Sequence, residues 1–143
     1  MKTLLNEVKM SFTAISENES FARGVAVSFA AQASPTITQL ADIKCAVSEA
    51  VTNAIVHAYP GGVGKVNMTL RRYDNGQIAI TIKDSGIGIE NVEVARQPLY
   101  TTDTTGERSG MGFAIMESMT DSLTVRSAKG RGTTVTMRIK VGA

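Results

Sequence analysis

A single cysteine, Cys45, excludes an intrachain disulfide and fits a reducing compartment, where a lone thiol packs as a small apolar residue. No apolar run is long enough to span a bilayer. The opening Met1-Lys2-Thr3-Leu4-Leu5-Asn6-Glu7 has no secretory apolar region, because Asn6 and Glu7 interrupt it at once. These absences predict a cytoplasmic protein that does not use a membrane. An excess of one charge is also missing: 15 Lys and Arg face 13 Asp and Glu, for a net charge of +2. The basic residues are scattered along the sequence, which gives direct nucleic-acid binding little support. Repeats and low-complexity stretches are absent. The length, 143 residues, predicts one domain over 1–143, large enough to bury about two-thirds of its unfolded surface.

What the chain does have is a polar stripe on an apolar helix. In Ser48-Glu49-Ala50-Val51-Thr52-Asn53-Ala54-Ile55-Val56-His57, the residues Glu49, Asn53 and His57 recur every four positions and share one face. Apolar neighbours on either side shield that face in part, and a partly buried carboxylate or amide left without a partner costs roughly 1–3 kcal/mol. A metal with bound phosphate or an ordered water would supply partners; a solvated stripe on an ordinary amphipathic helix is the plain alternative.

Two glycine-rich segments follow. Ile78, Ile80 and Ile82 alternate as a strand with one buried face, and Asp84-Ser85-Gly86-Ile87-Gly88-Ile89 begins where that strand ends. The Asp can accept a hydrogen bond from an exocyclic amine, and the glycines permit close approach of a flat ligand; an Asp-closed glycine turn is the plain alternative. Arg108-Ser109-Gly110-Met111-Gly112-Phe113 then leads a glycine loop into an apolar helix. Free backbone N–H groups and the helix dipole favour an anion there, with Arg108 as a fork-shaped cation; a hinge loop is the alternative. This is neither a Walker A loop nor a dinucleotide fingerprint. Gly130-Arg131-Gly132-Thr133-Thr134 precedes the last strand.

Periodicity predicts a first strand through Val8, Met10, Phe12 and Ala14. A helix follows to about Ala33, capped by Ser16 with Glu19, buried through Phe21, Val25 and Phe29, with Arg23 projecting away to solvent. Thr36 with Gln39 caps the long helix carrying Glu49 and Asn53, which ends at Tyr59-Pro60-Gly61-Gly62. Lys65 to Tyr73 and Gln77 to Lys83 form a hairpin around Asp74-Asn75-Gly76. A short helix near Glu90 to Arg96 leads to Pro98, and the polar stretch from Thr101 to Ser109 is a candidate mobile lid. A helix to about Met119 and a hairpin of Leu123 to Ser127 with Thr133 to Val141 close the chain. The fold class is α/β (α+β): a two-layer sandwich with a mixed, mainly antiparallel sheet covered on one face by helices.

In this order, Glu…Asn on a helix, Asp-x-Gly-x-Gly, Gly-x-Gly and Gly-Thr-Thr resemble the boxes of the ATPase superfamily that groups gyrase, Hsp90, histidine kinases and MutL. Within it the chain is most similar to the serine-kinase anti-sigma factors of the sporulation type. The matching segments are Ser16 to Arg23, Ser48 to Ile55, Ala95 to Leu99 and Glu107 to Phe113, and the similarity runs nearly the full length.

The resemblance implies a Bergerat-type ATP-binding fold, ATP and Mg²⁺ as cofactors, and protein serine kinase activity. Carried over by position, Asn53 binds Mg²⁺ and Glu49 is the base toward the attacking hydroxyl. Asp84 reads the adenine amine with support from Thr133, and Gly86 and Gly88 admit the base. Gly110, Met111 and Gly112 cradle phosphates with Arg108 and Ser109, and Thr101 and Thr102 of the lid belong to the same site. Asp103 departs from the family, which often has Lys after Thr-Thr, and the loop after Tyr59 is short. His57 is read as structural. Implied partners are an RNA polymerase sigma factor of the sigma F kind, an anti-anti-sigma protein phosphorylated on serine, and a second copy in a homodimer, with Arg23 at the partner surface. A non-catalytic, nucleotide-gated binding module and a kinase of the general-stress switch are the alternatives.

Overall fold

Alternating apolar residues in five segments build a single sheet in the computed structural model, which describes residues 2–60, 62, 64–89, 91–96 and 112–142. The strands are β1 (Leu4–Thr13), β2 (Lys65–Tyr73), β3 (Gln77–Asp84), β4 (Ser122–Ser127) and β5 (Thr133–Lys140), in the order β1-β2-β3-β5-β4. All four pairings are antiparallel. The sheet is therefore not mixed among the described strands: β4 and β5 form a hairpin, and β5 inserts beside β3 in the opposite sense. The predicted hairpin around Asp74-Asn75-Gly76 is present, with Gly76 at φ 88 in the left-handed region a tight turn needs.

The helices are α1 (Glu17–Ala30), extended by a 3-10 turn over Ala31–Ala33, α2 (Ile37–Val56), α3 (Val92–Ala95) and α4 (Gly112–Met119). The Thr36–Gln39 capping box forms in both directions: Gln39 N–H donates to Thr36 Oγ1 at 3.1 Å and Thr36 N–H donates to Gln39 Oε1 at 2.9 Å. The expected box at Ser16 does not. Ser16 adopts helical dihedrals, which turn its hydroxyl away from the amides it would cap, and Asn18 ties the helix start back by donating to the Thr13 carbonyl.

The buried side of α1 is Ala22, Ala26, Phe29 and Ala30, not the Phe21 side: Phe21 is 59% exposed. Ala22, Ala26 and Ala30 let α1 lie close against α2, and a ring in their place would hold the helices apart. Arg23 is half-buried instead of free in solvent, because it folds back on Glu19 at 3.5 Å. The core sits between this helical layer and one sheet face, with Ile43, Val47 and Val51 of α2 against Met68, Leu70, Ile78, Ile80 and Met137. No helix among the described residues is long and apolar enough to cross a membrane.

Candidate functional site

Asn53 and Gly112 meet although 59 positions separate them. Helix α4 starts at Gly112, and a Cβ built there would lie 2.8 Å from Asn53 Nδ2 and 3.1 Å from Oδ1. Gly112 has no positive φ, so its backbone would accept alanine; the bare Cα is required by the Asn53 amide in front of it. Glu49 lies one turn before Asn53 on α2, half-buried like it. The charge of Glu49, after the larger effect of burial, helps push the Cys45 thiol above its ordinary pKa. Cys45 is a half-buried free thiol there.

Asp84 ends β3 as the one buried charged or polar side chain among the described residues, 6% exposed. Its Oδ1 accepts from Gly86 N–H at 3.0 Å and Thr133 N–H at 3.2 Å. Burial raises its pKa, and those two amides oppose the rise. Both bonds fall on one oxygen, leaving the other to accept from a ligand. Thr133 thus joins Asp84 through its backbone, and its hydroxyl sits 2.8 Å from Ser127 Oγ.

The glycines of this loop serve the chain's own backbone. A Cβ on Gly86 would lie 2.1 Å from the Ala58 carbonyl oxygen, which accepts from Ile87 N–H at 2.9 Å. Gly88, at φ 75, abuts Ala128 in the β4–β5 turn. Gly86 and Gly88 thus closely approach other segments of the chain, which fixes the Asp84 loop between α2 and the last hairpin.

Two residues that motif reading passed over, and the glycine of the Gly-Thr-Thr box, hold this frame. Tyr59 donates its hydroxyl to the Lys65 carbonyl at 2.7 Å and accepts from Ser85 N–H at 2.8 Å, while its ring covers Gly64. Ser127 Oγ donates to the Gly132 carbonyl and accepts from Ile89 N–H, both at 2.7 Å. Gly132, at φ 81, leaves room for the Asp84 carbonyl, 2.2 Å from where a Cβ would sit. Only Gly132 carried a sequence signal, as part of Gly130-Arg131-Gly132. Arg96, at the end of α3, donates to Glu117 of α4 at 3.0 Å.

Thr101, Thr102, Asp103, Arg108, Ser109, Gly110 and Met111 lie outside the described residues. No group of three or more His, Cys, Asp or Glu gathers as a metal cage among the described ones. The Asn53 amide oxygen is a hard-oxygen donor, and it suits Mg²⁺ that takes its other ligands from phosphate and water.

Residues 12–139 match the family described as histidine kinase-like ATPase domain. An anti-sigma F factor of Clostridium perfringens is 52% identical over 136 residues, covering 95% of this chain and 97% of that one. An anti-sigma F factor of a Geobacillus species is 48% identical, covering 93% and 91%. Among solved structures, one of RsbU and RsbW domains from Mycobacterium tuberculosis superposes with a TM-score of 0.68 at 18% identity, covering 96% of this chain and 33% of that one. The mycobacterial sensor histidine kinase MprB gives a TM-score of 0.57 at 24% identity, covering 71% and 72%. At those identities the two structures speak for the fold.

Proposed function

This chain belongs to the anti-sigma F factor family of histidine kinase-like ATPases, and from that membership we propose that it sequesters an RNA polymerase sigma factor and uses Mg-ATP to phosphorylate a serine of an anti-anti-sigma protein. The observation that carries this reading is the meeting of Asn53 with Gly112, one turn from Glu49. A chain that needed only a structural helix there would have no use for a bare Cα in front of an amide.

Bound Mg-ATP supplies the γ-phosphoryl group and the charge neutralisation on which this class of transfer mainly depends. The protein's part is positioning and one proton. Asp84 would accept from the adenine amine on its second oxygen, with the Gly86 and Thr133 amides holding the first. The Asn53 amide oxygen would serve as the metal's protein ligand. The Glu49 carboxylate would accept the proton that the seryl hydroxyl loses as its oxygen bonds to the γ-phosphorus, while the bond from that phosphorus to the β,γ-bridging oxygen breaks and ADP leaves. Arg23, paired with Glu19 at 3.5 Å, would serve the protein partners. A homodimer belongs to the same proposal.

Transfer of labelled γ-phosphate from ATP to a candidate anti-anti-sigma protein tests the reading. Glu49→Gln should bind ATP and partner as the unaltered protein does and lose about 10²–10⁴-fold in rate. An unchanged rate removes Glu49 from the chemistry. No transfer by the unaltered protein would leave a nucleotide-gated binding module in place of a kinase.

A further inference from the structure

The basic residues that look scattered along the sequence alternate with core residues, and alternation places them together. Cross-strand pairing lines up Lys9, Thr69, Thr81, Thr136 and Thr124 in one row across the whole sheet. These side chains point away from the helices, since Met68, Leu70, Ile80, Ile82, Val135 and Met137 beside them fill the core. On one side of the threonine row stand Lys65, Lys83 and Arg126, and on the other Arg71, Arg138 and Lys140.

Seven cations thus share a face on which Glu7 is the one carboxylate among the described strand residues, while the whole chain carries only +2. The remaining surface is accordingly net acidic, and the molecule is electrically two-sided. Lys65, Lys83, Arg126 and Lys140 are exposed, so their charge is not spent inside the fold. Glu7 offsets Arg71 at 2.6 Å, and Arg138 leans on the Thr124 hydroxyl at 3.4 Å.

We propose that this open sheet face docks on the phosphate backbone of a nucleic-acid duplex, without reading its sequence. The occupant must be a polyanion, and the arrangement favours one with two lines of charge. Lys83 and Arg126 share the row on one side of the threonines and Arg71 and Arg138 the row on the other, with Lys65 and Lys140 two residues farther out. The two rows lie four residues apart along the strands, about 13 Å at about 3.3 Å per residue. That is on the order of the roughly 12 Å width of the major groove of B-DNA. The four threonines between them offer hydroxyls, which serve phosphate and sugar oxygens, and Lys9 ends that row as a further cation. Away from the Tyr73 end of β2, the paired rows of this face carry no aromatic side chain on which bases could stack and only Ala79 as an apolar one.

Fluorescence anisotropy of a labelled mixed-sequence DNA duplex of about 20 base pairs, titrated with the full chain, tests the inference. Binding should fall steeply with salt, log K against log salt having a slope of about −5 if six cations each neutralise a phosphate. The double substitution Lys83→Glu/Arg126→Glu should weaken binding more than tenfold at fixed salt and make the slope shallower by about 2. Both positions lie on the sheet face opposite Asp84, so Mg-ATP affinity should stay unchanged, with Lys83→Gln/Arg126→Gln as the milder pair should the reversal unfold. No binding at about 50 mM salt, or equal binding by the reversed variant, overturns the inference. So does binding to vesicles of anionic phospholipid with none to the duplex, which would make the face a membrane surface.

Discussion

Replacing Gly112 with alanine isolates the contact on which the nucleotide site turns. The added methyl would sit 2.8 Å from Asn53 Nδ2, 3.1 Å from Oδ1 and 3.3 Å from Cγ. Ordinary van der Waals separation is about 3.5–4.0 Å, so the amide must retreat by several tenths of an ångström to about 1 Å. The fold should barely register the change. The crowded atoms are the end of a side chain, and alanine in a helix gains about 0.5–1 kcal/mol over glycine. Net stability should stay within about 1 kcal/mol, a shift in Tm of a few degrees. Mg-ATP affinity, measured by calorimetry, should fall at least tenfold, about 1.4 kcal/mol. Asn53→Ala, which makes room for the methyl, provides the control. In Gly112→Ala/Asn53→Ala the two losses should be strongly less than additive, because one change acts through the other. Unaltered affinity in Gly112→Ala refutes the reasoning, and full additivity would move the effect of Gly112 from Asn53 to the ligand itself.

Asp84→Asn should separate binding from stability. Burial raises the Asp84 pKa, so the stability its protonated form contributes is complete below the ordinary carboxylate range and is lost as pH rises through the raised value. The amide oxygen of Asn can still accept from Gly86 and Thr133. The variant should therefore melt at or above the unaltered protein at pH 7, with the difference closing below about pH 4, while binding Mg-ATP at least tenfold more weakly; a clearly lower Tm at pH 7 in circular-dichroism melts would show that burial is not the governing effect. Arg23→Ala should weaken sigma-factor binding more than thirtyfold, about 2 kcal/mol, and leave Mg-ATP affinity as it was. A parallel fall in ATP affinity would mean that α1 supports the nucleotide site instead.

Period-2 alternation made all five strands legible, and Thr36-x-x-Gln39 marked the start of α2 because that cap depends only on local residues. Ser16-x-x-Glu19 has the same form and fails, since Ser16 takes helical dihedrals and Glu19 pairs with Arg23. Phe21 misled for a related reason. Its hydrophobicity is local, but the packing of α1 on α2 selects the alanine stripe beside it. In the site, residue type identified Asp84 and Asn53, whose chemistry is carried by the side chain alone. The work of Gly86, Gly88, Gly112 and Gly132 depends on Ala58, Ala128, Asn53 and Asp84, which reach them only through the fold. Tyr59 and Ser127 escaped notice for the same reason. The basic face was hidden by the alternation that builds it.

The central claim is that Asn53, held open by Gly112, binds Mg²⁺ with ATP. Calorimetric titration of ATP into the protein with and without Mg²⁺, for the unaltered chain and for Asn53→Ala, tests it most directly. The account predicts that Mg²⁺ tightens ATP binding to the unaltered protein and that Asn53→Ala loses this gain, by tenfold or more, about 1.4 kcal/mol. Equal tightening by Mg²⁺ in both proteins would contradict it.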